Sequence, residues 1–313
     1  MMRPGRTQEF PQGLAVRPKK SNGQGKMAFW LLLPALVAVF GIVIYPVVRT
    51  LVISLFEVNS VMATDTPFVG LGNYEKVLSD AGFWAAIGRT FYFTVTSTVL
   101  ELVLGLALAG LLNARIRGRW VLRTIVVIPW AVPTIVNAAL WKGIFNAQYG
   151  ALNGILSQLG FQSDYRAWLG SPTAAMNAVI VADVWKTTPL VAFFLLAGLA
   201  SIPNDIYEAA KLDRASRVRT FFSVTLPLLV PSVSIVLVLR TVEAFKVFDI
   251  IYGMTRGGPA NGTQTIAYYA YTSAFSDQSY GMGSAISYLI VIVILLLSAV
   301  YLRALRRSEM SLL

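Results

Sequence analysis

The residues able to do chemistry in this sequence are titratable side chains set inside apolar stretches. Asp183, Lys186, Thr187 and Leu190 stand at i, i+3, i+4 and i+7, the spacing of one helical face. Arg240, Glu243, Ala244 and Val247 repeat that spacing, with Lys246 and Asp249 beside them. Charges in apolar surroundings are costly unless they face a cavity or a partner. The two faces therefore read either as the lining of a polar path or as packing ion pairs, Asp183–Lys186 and Arg240–Glu243. Glu101 has no cation close in sequence and reads as a group that meets a second subunit. Asn137 reads as a helix–helix hydrogen bond. The chain has no Cys and no His, which excludes disulfides, thiol nucleophiles, His-ligated metals and Ser-His-Asp triads within it. No metal site is expected, and no GxxxxGK[ST] phosphate loop is present. Energy-driven work would need a nucleotide site on another chain.

The elements that must position these groups follow from composition. Of 313 residues, 56% are hydrophobic and 13% charged, about half the charge of an ordinary soluble domain. The apolar residues fall in blocks long enough to span a hydrocarbon layer, which takes roughly 20 helical residues. Six such blocks are predicted: Ala28 to Phe56, Ile87 to Asn113, Val121 to Phe145, Ala175 to Ala200, Phe222 to Ile251 and Gly283 to Leu305. Pro129 and Pro133 predict a kink in the third. The first is too long for a signal-peptide core and lacks a small-residue cleavage site after it. Residues 1–27 read as a disordered basic tail, and 28–313 as one all-α transmembrane domain.

Loop charges set the expected orientation. Lys and Arg gather in the tail, at Arg115, Arg117 and Arg119, at Lys211, Arg214, Arg217 and Arg219, and at Arg303, Arg306 and Arg307. The alternate loops hold only Lys76, Arg166 and Arg256. The asymmetry places both termini in the cytoplasm, explains the net charge of +11 without nucleic acid, and puts the Thr255–Pro259 turn outside with residues 57–86 and 146–174.

One cytoplasmic loop is conspicuous, from Ser201 to Pro227. Asp205 followed by Glu208 reads as a helix start. Ile206, Ala209, Ala210 and Ala215 would form a small-residue face, and a short surface helix is expected near 204–216. Such a helix suits either anchorage to anionic lipid or docking of a partner protein.

The loop resembles a known signature. Glu208-Ala209-Ala210, then position 214, then Val224-Thr225-Leu226-Pro227 match the Glu-Ala-Ala pattern of permease subunits of binding-protein-dependent ABC importers. Arg214 stands where that family usually has Gly, so a left-handed turn there would strain it. Trp185 to Pro189, the run ending at Pro203, Gly257-Gly258-Pro259 with Thr263, Tyr271 and Ala274-Phe275, and Gly70-Leu71-Gly72-Asn73-Tyr74 resemble the carbohydrate-uptake branch, most closely the maltose- and trehalose-type first half-permease.

The resemblance implies a six-helix type I importer fold in a bacterial or archaeal inner membrane. It implies a pair formed with a second permease, two ATPase subunits carrying ATP and Mg, and an extracytoplasmic solute-binding protein that delivers sugar. This chain would hold no cofactor of its own. Glu208, Ala209, Ala210, Asp213 and Arg214 would couple to an ATPase. Asp183, Lys186, Thr187, Leu190, Arg240, Glu243, Ala244 and Val247 would line the sugar path, with Trp185 or Phe245 offering a ring to stack on. Two other classes fit less well: an autonomous ion-coupled carrier, for which no internal repeat is visible, and a membrane-embedded enzyme restricted to Asp and Glu. Within the first class, glycerol phosphate, polyamines and peptides stay open; a transported phosphate would favour the Arg240 and Lys186 charges.

Overall fold

The computed structural model describes residues 22–60, 62, 65–114, 117–162 and 164–310. The rest of the predicted tail, 1–21, and Arg115 lie outside them. Among the described residues the chain is almost entirely helical, and its one β-bridge joins Phe56 and Phe68. It divides into two units, Met1–Thr50 and Leu51–Leu313.

Helix α1, Asn22–Ala38, passes through a π-helical stretch, Val39–Ile44, into α2, Tyr45–Ser54, whose last four residues belong to the second unit. Residues 22–27 of the predicted tail are therefore helical. Phe29–Ser54 is long and apolar enough to cross a membrane.

In the second unit α3 (Gly72–Ser79) precedes the long helix α4 (Ala81–Asn113). Asp80 caps α4 by accepting from the Gly82 amide at 2.7 Å, and its other oxygen accepts from the Tyr269 hydroxyl. Helix α4 lies along α8 (Pro172–Ser201) in the most extensive helix pair of the fold. The approach is tight because Gly105 has no side chain: a Cβ there would sit 2.6 Å from Val191 Cγ1, and small residues let membrane helices close in this way.

The third predicted span is not one helix with a kink. Helix α5 (Arg119–Ala131) and α6 (Thr134–Ile144) meet at 93°. The residue before a proline is pushed out of the helical region, and Val132, at φ −70 and ψ 128, ends α5 there. A short α7 (Ala151–Gln158) follows in the connection, which is pinned by Asn153. That buried side chain accepts from the Arg166 amide and Trp168 Nε1 and donates to the Arg166 carbonyl.

Span five also ends early. Helix α10 (Arg217–Thr220), a π-helical stretch and α11 (Leu226–Phe245) form it, and the helix stops at Phe245 instead of running to Ile251. Lys246 to Phe248 are irregular before α12 (Asp249–Met254). The Thr265 hydroxyl donates to the freed Val247 carbonyl at 3.0 Å. Then come α13 (Ile266–Tyr271), a π-helical stretch Thr272–Ser276, and α14 (Tyr280–Met310). Among the described residues five helices are long and apolar enough to cross a membrane, six if the bent pair counts as one span.

The predicted surface helix is α9, Asn204–Leu212, shorter than expected, and Asp205 lies in its first turn while Pro203 holds the cap position. Its end explains position 214. The Ala215 amide bonds the Ala210 carbonyl and the Arg214 amide the Lys211 carbonyl, both at 3.0 Å, the Schellman pattern that needs a left-handed residue. Arg214 takes that conformation, at φ 54, which costs an L-residue about 1–2 kcal/mol. Arg214→Gly is expected to slow hydrogen exchange at the Ala215 amide by about three- to tenfold, read by mass spectrometry of the purified protein; faster exchange would deny the strain.

Candidate functional site

The buried charges converge on Arg240, at the fourth turn of α11. Its Nε donates to Glu101 Oε2 at 2.5 Å and its Nη2 to Glu101 Oε1 at 2.8 Å, a two-pronged grip. Nη2 also reaches Asp183 Oδ2 at 3.1 Å, and Nη1 reaches Glu243 Oε2 at 2.9 Å. The Thr187 hydroxyl lies 2.6 Å from both Glu101 Oε1 and the Asp183 carbonyl oxygen. Glu101 comes from α4, Asp183 and Thr187 from α8, Arg240 and Glu243 from α11, so the cluster ties three spans together.

Exposure separates the members. Glu101 is 0% exposed and Arg240 4%, whereas the Glu243 side chain is 51% exposed. Glu101 forms the back of the cluster and Glu243 its rim. In front lies a cavity of about 430 Å³, lined by Asp183, Lys186, Thr187, Leu190, Arg240, Glu243, Lys246, Val247 and Asp249, with Trp130, Thr134, Phe248 and Ile250. That volume is in the range of small-ligand pockets. Both helix breaks border it, through Trp130 and Thr134 on one side and Lys246 to Asp249 on the other.

Of the eight residues predicted to line a path, seven meet in this cavity. Ala244 does not: it is 2% exposed and packs in the core with Ile250, Ile251 and Met254. The helix turns off at Phe245, so the continuous face assumed from Arg240 to Val247 does not exist, and Val247 reaches the cavity from the irregular segment. The predicted ion pair of Asp183 with Lys186 is replaced by Asp183 with Arg240; Arg240 with Glu243 is present. Glu101 has its cation within the chain, 139 positions away, so it does not await a second subunit. Asn137 donates to the Ala182 carbonyl at 3.2 Å, a helix–helix bond as expected. The rings offered by Trp185 and Phe245 are elsewhere: Trp185 packs on Trp141, and Phe245 is buried in another cluster. Trp130 and Phe248 take their place at the cavity wall.

At the other end of the fold, α9 is fixed to the base of α4 and α8. Ile206 and Tyr207 pack with Leu112, Leu199 and Ile202, Ala210 is buried, and the Thr225 hydroxyl bonds the Tyr207 hydroxyl. Glu208, Ala209, Asp213 and Arg214 are exposed. Ala209 thus faces outward, not into the small-residue face expected for it. Leu212, which the sequence reading passed over, is 85% exposed beside them.

The profile of the family described as binding-protein-dependent transport system inner membrane component matches residues 101–310. The trehalose/maltose transport system permease protein MalF of Thermococcus litoralis is 46% identical over 280 residues, 90% of this chain and 94% of that one. The sulfoquinovosyl glycerol transport system permease protein SmoG of Agrobacterium fabrum is 36% identical over 287 residues, 92% of each. A solved chain of a bacterial ABC transporter involved in the import of the acidic polysaccharide alginate shares the fold, with a TM-score of 0.79 at 22% identity, covering 91% of this chain and 96% of that one. Matched by that profile over two thirds of its length and by a close relative over nine tenths, the chain belongs to the binding-protein-dependent transport system inner membrane components, the permeases of ABC importers.

Proposed function

We propose that this permease takes up a neutral di- or oligosaccharide of the trehalose or maltose kind, and that the cavity in front of Arg240 is where the sugar passes the middle of the membrane. The observation that carries this reading is the engagement of Arg240 by Glu101. With both carboxylate oxygens on the guanidinium, its charge is already matched, and Arg240 is not free to hold a phosphate. The cavity wall carries three carboxylates, Asp183, Glu243 and Asp249, and three cations, Lys186, Arg240 and Lys246; with Glu101 behind it already matching Arg240, the acceptors outnumber the uncommitted cations. Asp183, Thr187 and Glu243 offer directional acceptors for hydroxyls, and Trp130 and Phe248 offer apolar surface for sugar C–H faces. The permeases named for trehalose and maltose among its relatives support the same substrate class.

The chain forms half of the path with a second permease. Two ATPase subunits supply ATP and Mg, and an extracytoplasmic binding protein delivers sugar. The basic residues of the loops on the α9 side (Arg117, Arg119, Lys211, Arg217, Arg219, Arg303) support a cytoplasmic position for α9 and both termini. The exposed face of α9, with Glu208, Ala209 and Leu212, seats on an ATPase, while Ile206, Tyr207 and Ala210 pass its motion to α4 and α8. Each ligand acts by binding one conformation better than the other.

Two experiments test these roles. In the complete importer reconstituted in liposomes, Asp183→Asn and Glu243→Gln are expected to cut sugar uptake about tenfold or more without loss of complex, since a hydrogen bond to a charged group contributes roughly 1.5–3 kcal/mol. Unlabelled maltose should compete with uptake and maltose 6-phosphate should not. Glu101→Ala should instead cost stability, about 3–5 kcal/mol, by stranding Arg240, and reduce the complex recovered. Normal uptake by Asp183→Asn and Glu243→Gln, or competition by the phosphorylated sugar, contradicts the reading.

Reversing the charge on α9, with Glu208→Lys, should spare membrane insertion but abolish uptake while the ATPases still hydrolyse ATP. Uptake at the wild-type rate would remove the docking role.

A further inference from the structure

Beyond the cavity, a row of aromatic rings leaves the site toward the start of the last span. Phe248 lines the cavity. Its ring is stacked between Tyr252, at 5.6 Å between centroids, and Tyr268, at 5.9 Å. Tyr271 touches Phe248 at 5.0 Å and Tyr252 at 5.8 Å. Phe275 follows Tyr271 at 5.2 Å, and Tyr280, the first residue of α14, follows Phe275 at 6.1 Å. The spacing has a local cause: Phe248 and Tyr252, and Tyr271 and Phe275, are each four residues apart, the interval that stacks side chains on one face of a helical turn.

We propose that this row is an outer carbohydrate subsite, along which a sugar moves between the binding protein and the Arg240 cavity. The proposal rests on the neutral-sugar reading above. A pyranose has C–H bonds on its faces and hydroxyls on its rim. Aromatic rings take the faces, and phenol hydroxyls, which both donate and accept, take the rim. The row supplies both. No hydrogen bond engages the Tyr252 or Tyr271 hydroxyl among the described residues. Tyr252 is 38% exposed and Phe275 62% exposed, so the row is not merely core.

Two features set it apart from rings that anchor a membrane protein at the lipid interface. Its rings touch one another in sequence, and it ends on the polar cavity. Its elements, α12, α13 and the π-helical stretch to Ser276, all lie in the connection between α11 and α14, on the opposite side of the spans from α9. That is the side from which sugar arrives in the proposed orientation.

The test uses the complete importer in liposomes, with labelled maltose on its binding protein. Phe275→Leu and Tyr252→Leu should raise the concentration of loaded binding protein needed for half-maximal uptake by about three- to tenfold, the size of one lost ring contact. Yield and melting temperature of the complex should not change. Tyr271→Phe, which keeps the ring, should lose less than Tyr271→Leu. Half-saturation equal to wild type in Phe275→Leu and Tyr252→Leu overturns the subsite and leaves the Arg240 cavity standing. Loss of the second permease from those variants also overturns it, by giving the rings to a subunit interface. If the wild-type complex moves neither maltose nor trehalose, the neutral-sugar reading fails and the subsite with it.

Discussion

A guanidinium held by a carboxylate in the middle of a membrane bundle is the interaction on which the rest of this structure depends. A lone charge at the centre of a spanning helix costs about 3 kcal/mol on insertion scales, and α11 could not carry Arg240 there unmatched. Glu101 answers it from α4 with two hydrogen bonds, and Asp183 and Thr187 join from α8. Such a pair adds little net stability compared with an apolar contact, but removing one member is severe. Its effect is to tie α4, α8 and α11 together at one point along their length. Gly105, one turn along α4 from Glu101, permits the close approach of α4 to α8.

The two broken spans belong to the same logic. Irregular backbone at membrane depth is tolerated only where protein covers it or where it borders a cavity. The break at Val132 and Pro133 and the break at Lys246 to Phe248 both do so. Each ends a helix at the cavity, freeing the following residues to turn side chains into it. The Val247 carbonyl, left without a helical partner, is taken by Thr265. Thr265 sits in the connection that is also tied to α4, through Arg89 to the Gln264 carbonyl and through the Ile266 amide to the Thr90 hydroxyl. The cavity wall and the outer connection are thus parts of one bonded unit.

Much of this was legible in the sequence, and the failures have physical causes. Hydropathy located the spans because a bilayer demands about twenty apolar residues whatever the fold. The charged faces of α8 and α11 stood out because charge inside apolar sequence is rare. Glu101 was misjudged because its partner is 139 positions away, and no local pattern reports such a pairing. Val247 was placed on a helix that ends two residues before it; an apolar run looks alike whether the backbone is helical or not. Ala244 was assigned to the path by spacing, yet a methyl group among Ile250, Ile251 and Met254 is simply core. Pro133 announced a disturbance, but a proline in sequence does not report its size, here 93° between α5 and α6. The anomaly at Arg214 was foreseen as conditional on a left-handed turn, and the turn is there.

The fold by itself does not choose the cargo. A chain of the same fold belongs to an importer of the acidic polysaccharide alginate, so any discrimination this permease makes between neutral and acidic saccharides lies in side chains and not in the fold. In this chain the strongest cation of that wall is already committed to Glu101, and what remains is Lys186 and Lys246 against Asp183, Glu243 and Asp249. In a site of low effective dielectric, a like charge brought near such a wall is repelled by several kcal/mol, while a hydroxyl finds acceptors. Under the proposed role, Glu101 therefore does two things with one carboxylate. It allows Arg240 to exist inside the membrane, and it withholds that guanidinium from an anionic sugar.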